Sequence, residues 1–141
     1  MNLVEEFWII NFDGIPYFSF APDEELDSNL LGSFFSAIQS FAKQISSDSR
    51  NDKFIHSITL GKYLFFFLVN PKNRLYFISK SKKNISEKNI NQHLKKIERM
   101  FIEDYKEKIE NFDGEIDAFE HFREKFKKYF EDNFTKLKGM W

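Results

Sequence analysis

The residues able to do chemistry are few and scattered. Cysteine is absent, which removes disulfides, thiolate nucleophiles and thiolate-ligated zinc or iron–sulfur centres. His56, His93 and His121 fall in three different predicted elements, so a metal site would have to assemble from them and distant carboxylates. His56 alternates with Phe54, Ile58 and Leu60 and is expected within or beside a sheet. His93 and His121 are expected at surface or boundary positions of two late helices. Ser33, Ser36 and Ser40 recur at helical spacing, without the strand-to-helix elbow or the neighbouring base that a serine nucleophile needs. They read as small residues that let a helix lie close to a neighbour. Carboxylates gather at Asp23-Glu24-Glu25-Asp27 and at Glu103-Asp104; the first group precedes a helix, whose dipole favours negative charge there. Gly14, Gly32, Gly61, Gly114 and Gly139 form neither a phosphate-cradling loop nor a dinucleotide fingerprint. Gly61-Lys62 leads into a strand and reads as a hairpin turn. Two lysine-rich runs, Lys80-Ser81-Lys82-Lys83 and Lys125-Phe126-Lys127-Lys128, have the charge to meet anionic lipid or phosphate. The second is interleaved with core phenylalanine, as a solvated helix face would be. No catalytic, metal or cofactor-binding residue is assigned, and a non-enzyme is expected.

Composition narrows the class. The chain has 141 residues, of which 18% are aromatic, with 19 Phe among them. That length is one domain's worth and can bury a substantial core. The aromatic load excludes intrinsic disorder, because disordered chains lack the apolar surface that offsets ordering entropy. The net charge of −1 argues against a general nucleic-acid binder, which needs a basic excess to displace counterions. The charge divides unevenly: residues 1–70 carry four basic and nine acidic side chains, residues 71–141 seventeen and thirteen. The acidic opening Met1-Asn2-Leu3-Val4-Glu5-Glu6 does not resemble a signal peptide, and no stretch reaches the roughly 18 apolar residues of a membrane span. A cytoplasmic domain, with at most peripheral membrane contact, is expected.

The elements follow from periodicity and turn chemistry. Phe7-Trp8-Ile9-Ile10 and Ile15 to Phe20 flank Asp13-Gly14, a hairpin signal in which Gly tolerates the positive φ of a type I′ turn. Pro16 cannot donate to a ladder, which places the second strand at a sheet edge. Asp27 or Ser28 caps a helix with Leu31, Phe34, Phe35, Ile38, Phe41, Ala42 and Ile45 on a broad apolar face. A polar loop, Ser46 to Asp52, precedes strands over Phe54 to Leu60, Tyr63 to Val69 and Arg74 to Lys80. Ser86 opens a helix bearing Ile90, Leu94, Ile97, Phe101, Tyr105 and Ile109, which Asp113-Gly114 breaks. A last helix carries Ile116, Phe119, Phe122, Phe126, Phe130 and Phe134. The predicted order is ββαβββαα over residues 4–134, a single domain with a tail from Thr135 to Trp141. Phe7 to Ile10 and Leu64 to Val69 are apolar on both sides, whereas a sheet with one wet face would alternate. Helices must therefore cover the sheet front and back, giving an α+β, three-layer α/β/α sandwich.

This order, with Phe7-Trp8-Ile9-Ile10-Asn11, the Asp13-Gly14 turn, Ile15-Pro16-Tyr17-Phe18-Ser19 and the long amphipathic helix behind them, resembles the longin domain family. The likeness is greatest to its stand-alone archaeal members, with the roadblock fold a near neighbour. It covers essentially Val4 to Phe134 and rests on a hydrophobic pattern and a turn, not on fixed catalytic residues. The resemblance implies a five-stranded antiparallel sheet with the first helix on one face and the last two on the other. It also implies a non-catalytic module that pairs with itself or with another longin or roadblock protein. Such pairs serve as platforms for small Ras-like GTPases or trafficking-type assemblies; no cofactor and no nucleic acid is implied. In many such pairs the second strands join edge to edge and the first helices lie side by side, here Ile15 to Phe20 and Leu30 to Ile45.

The residues permit a homo- or heterodimer of that kind. The first helix has more apolar positions than one face can bury, and apolar surplus on a surface helix marks a candidate interface. The candidate partner residues are Ile15, Tyr17, Phe18, Leu30, Phe34 and Phe41. Pro16 removes a donor from the pairing edge and weakens the strand-to-strand route. The alternative is a small ligand-binding or sensory domain of profilin-like or PAS-like type, which would need a cavity between sheet and helix.

Overall fold

A computed structural model of the chain describes residues 4–20, 28–45 and 55–132, without the side chains of Ser28 and Ile45. The expectations for the acidic cluster at 23–27, the caps Asp27 and Ser28, the loop at 46–52, Phe54, Phe134 and the tail at 135–141 lie outside what is described. Five strands are formed: β1 (Glu6–Asn11), β2 (Pro16–Phe20), β3 (Ser57–Leu60), β4 (Tyr63–Asn70) and β5 (Leu75–Lys82). The helices are α1 (Ser28–Ile45) between β2 and β3, then α2 (Glu87–Glu110) and α3 (Phe122–Phe130), with a 3₁₀ turn at Ile116–Phe119 between the last two. All strand pairs are antiparallel, in the order β2-β1-β5-β4-β3. The fold is the expected α+β sandwich, with β5 at the centre of the sheet between β1 and β4.

Alternation along the strands divides the core in two. Phe7 and Ile9 of β1, Phe77 of β5 and Leu64 of β4 face α2 and α3, where Ile90, Leu94, Ile97, Phe101, Phe122 and Phe126 meet them. Trp8 and Ile10 of β1, Tyr76 and Ile78 of β5, and Phe65 and Phe67 of β4 face α1, where Leu31 and Phe35 meet them. Every residue of β1 is buried, the consequence of covering a sheet on both sides.

Several details differ from the sequence expectation. The β1–β2 connection is a four-residue loop, Phe12 to Ile15, and not a type I′ turn: among its residues only Gly14 has positive φ (90°), whereas type I′ needs two such residues. Asn11 holds the loop instead, its Oδ1 accepting from the backbone N–H of Asp13 (3.0 Å) and Ile15 (2.9 Å). The last helix is split. Phe119 and Phe122 lie three residues apart, in phase with a 3₁₀ repeat, while Phe122, Phe126 and Phe130 follow at four, as on an α-helix. The strand expected from Arg74 to Lys80 runs from Leu75 to Lys82, and β3 is shorter than expected. Within α2, Tyr105 departs from helical geometry (φ −127°, ψ 20°), and its ring packs on Phe119 and Phe122 at 5.4 and 6.2 Å.

Candidate partner interface

α1 is fixed to the sheet and its loops by four residues on one flank and its underside. Gly32 lies against the β1–β2 loop so closely that a Cβ there would sit 2.2 Å from the Gly14 carbonyl oxygen. One turn later Ser36 donates from Oγ to the Phe12 carbonyl at 2.9 Å, so one of the three small serines does allow a close approach. Gln39, almost fully buried, donates from Nε2 to the Ile55 carbonyl and accepts from the Ile55 N–H, both at 2.8 Å. Lys43 places its ammonium 5.3 Å from the Phe12 ring centre. These residues all turn α1 toward the β1–β2 loop and the lead into β3.

The opposite flank carries the apolar surplus. Leu30 is 72% exposed, Phe34 44% and Phe41 62%. Ala37, also exposed, falls between them, so the four residues recur at spacings of four, three and four. That is the repeat of a helix seam that packs against a second helix, with a small residue at its centre. The sequence pointed to Leu30, Phe34 and Phe41; the seam they form with Ala37 emerges only when the buried stripe of Leu31, Phe35, Gln39 and Ala42 is known.

The structure distributes the strand candidates differently. Ile15 is 38% exposed at the loop before β2. Tyr17 and Phe18 were expected at an interface, yet both side chains are buried in the protein's own core. Tyr17 stacks on Phe119 at 4.5 Å and meets Phe112 at 4.6 Å, and Phe18 packs edge-on against Phe122 and Phe126, each at 5.3 Å. Burial raises the Tyr17 pKa, partly countered by its bond to Asn11. The reason is geometric. A bulge between Ile9 and Ile10 shifts the register, so Tyr17 and Phe18 are consecutive yet both serve the α2–α3 side. β2 remains an edge strand by position, with Pro16, Ser19 and Phe20 half-buried.

The titratable groups described lie in separate places. His56 is exposed. His93 pairs through Nδ1 with the Tyr129 hydroxyl at 2.7 Å, joining α2 to α3. Burial, with Lys96 adding repulsion, lowers the His93 pKa, and burial pushes Tyr129 up to about 12. Glu98 is raised by burial despite accepting from Asn70 Nδ2 at 3.1 Å. Among the described residues no group of His, Asp and Glu is arranged to hold a metal ion. Lys80, counted in the sequence as part of a surface run, is buried; its ammonium lies 3.3 Å from the equally buried Glu6 carboxylate and 4.2 Å from the Tyr63 ring centre. Sequence alternation carries the only warning of this, since Lys80 follows the apolar positions Tyr76 and Ile78. A groove of about 460 Å³ lies between β4 and the start of α2, lined by His56, Phe66, Leu68, Lys88 and Lys95.

The fold defined by this sheet and its two helical layers is longin-like. Two solved structures carry the likeness. The Myxococcus xanthus protein MglB superimposes with a TM-score of 0.57 at 12% identity, over 66% of this chain and 76% of its own. The structure of the mammalian SRP receptor does so with a TM-score of 0.57 at 11% identity, over 94% of this chain and 95% of that one. No protein-family model matches the sequence, and no curated protein matches it. Among the described residues no helix is long and apolar enough to cross a membrane.

Proposed function

We propose that the chain is a non-catalytic, cytoplasmic interaction module that pairs through α1, with a second copy or with another longin or roadblock protein. The pair presents a platform to a small Ras-like GTPase or a trafficking-type assembly. The observation that carries this reading is the exposed seam of Leu30, Phe34, Ala37 and Phe41 on a helix already anchored to its sheet by the other flank. Two phenylalanines and a leucine left in water at helix-pairing spacing favour association, because each side chain buried against a partner contributes on the order of 1.5–3 kcal/mol before the entropy of association is subtracted. Helix pairing is favoured over strand pairing because Pro16 lacks a donor and Tyr17 and Phe18 are spent inward.

The test is size-exclusion chromatography with light scattering on the native chain and on the double variant Phe34→Glu/Phe41→Glu. A dimer that becomes a monomer, with an unchanged far-ultraviolet spectrum, supports the reading. A strict monomer at high concentration that also binds no small GTPase from the same cell contradicts it.

A further inference from the structure

The ends of three adjacent strands gather a basic cluster that the α1 interface does not use. The β3–β4 hairpin closes through Gly61-Lys62, with Leu60 opposite Tyr63, and Tyr63 in turn lies opposite Lys82 of β5. Lys83 donates its backbone N–H to the Lys62 carbonyl at 3.1 Å. Lys62, Lys82 and Lys83, twenty residues apart in sequence, are thus held side by side at one end of the sheet. None of the three makes an ion pair among the described residues. Lys80 is different, being buried against Glu6. Leu60 stands at the tip of the same hairpin, 47% exposed. Gly61 beside it adopts φ 61°, and nothing lies within 4 Å of where its Cβ would be, so the space around the turn is open.

From this arrangement we infer that the Leu60–Lys62 hairpin tip, with Lys82 and Lys83, is a docking point for an anionic membrane surface. Lys62 and Lys83, exposed, and the half-buried Lys82 match a layer of negative headgroups. Lys62 has its ammonium 5.4 Å from the Tyr63 ring centre, and the exposed Leu60 on the outer strand of the same sheet end suits shallow insertion at the acyl boundary. The partner is a lipid surface and not a nucleic acid: Tyr63, the aromatic ring among these residues, is half-buried and has the Lys62 and Lys80 ammonium groups 5.4 and 4.2 Å from its centre, so it is not an open platform for a base. The site is separate from the α1 seam and stands whether or not the chain pairs.

Flotation of the full chain with vesicles tests it, using phosphatidylcholine alone and phosphatidylcholine containing about one third phosphatidylserine. Binding to the anionic vesicles and not to the neutral ones is expected, falling as salt rises from about 0.1 M to about 0.5 M. Each lysine near such a surface contributes about fivefold in affinity, so Lys62→Glu/Lys82→Glu/Lys83→Glu should lose roughly 100-fold or more. Leu60→Ser should weaken binding severalfold and leave its salt dependence in place. All four positions lie at a strand end or turn, and an unchanged far-ultraviolet spectrum verifies folding. Equal binding to both vesicle types, no binding to the anionic vesicles, or full binding by the triple variant overturns the proposal.

Discussion

Gly32→Ala reverses the usual sign of a helix substitution. In an exposed helix interior, Gly to Ala stabilises by up to about 1 kcal/mol, because alanine has less backbone entropy to lose. At residue 32 the new methyl would lie 2.2 Å from the Gly14 carbonyl oxygen, 0.8 Å inside the 3.0 Å that real Cβ atoms keep. The obstacle is backbone on both sides, and Gly14 itself has φ 90° within the loop Asn11 holds, so neither partner can rotate away. α1 must lift. Overpacking of this kind costs about 2 kcal/mol, and lifting also lengthens the Ser36–Phe12 bond, which contributes about 1 kcal/mol. Set against the helix-propensity gain, the expected net loss is about 2 kcal/mol, or a fall in Tm of roughly 8 °C for a chain of this size. Urea unfolding of Gly32→Ala beside Ser33→Ala, an exposed neighbour, measures it, and the control should stay within about 0.5 kcal/mol of the native chain. A Gly32→Ala variant as stable as the native chain, or more so, would refute the close approach of α1 to the loop.

Three further outcomes follow from buried polar contacts. Lys80→Met leaves the Glu6 carboxylate buried without its ammonium partner and should destabilise by about 3–5 kcal/mol, whereas Glu6→Leu/Lys80→Met should recover most of that loss in urea unfolding. Gln39→Ala removes both 2.8 Å bonds to Ile55 and should cost about 2 kcal/mol, with hydrogen exchange accelerated at Ile55 and through β3. The His93–Tyr129 pair makes stability fall with acidification. Because burial lowers the native His93 pKa below 6.5, the unfolded chain takes up the proton first. The contribution is therefore present above about pH 6.5 and is lost as the pH falls from there through the lowered native value. His93→Gln should flatten that part of the Tm–pH curve relative to the native chain.

Much of the architecture was legible because it rests on apolar patterning. Phe7 to Ile10 is apolar without alternation, and a strand of that kind has helices on both sides; the two core clusters around Phe7/Ile9 and Trp8/Ile10 are the result. The spacing of Leu31, Phe35 and Ala42 likewise placed α1 on its sheet. What periodicity could not provide was the inward or outward sense of an edge strand. Tyr17 and Phe18 look like surplus until the bulge at Ile9/Ile10 and the 3₁₀ turn at Ile116–Phe119 bring both rings onto Phe119 and Phe122. Polar residues in the core were hidden for another reason. Gln39 and Lys80 are buried only because a specific partner, Ile55 or Glu6, arrives from a distant segment, and no local pattern encodes that meeting. Ala37 escaped notice because alanine is unremarkable by itself; its place between Phe34 and Phe41 on the exposed flank gives it meaning.

Pairing through α1 can be tested by covalent capture, since the chain has no cysteine of its own. Ala37→Cys places one thiol at the centre of the seam, and Lys106→Cys places one on the exposed side of α2. Under mild oxidation of the purified protein, the account predicts a rapid disulfide-linked dimer for Ala37→Cys, its formation abolished by adding Phe34→Glu/Phe41→Glu, and no comparable dimer for Lys106→Cys. An Ala37→Cys protein that stays monomeric, or that cross-links no faster than Lys106→Cys, would contradict self-pairing through this helix.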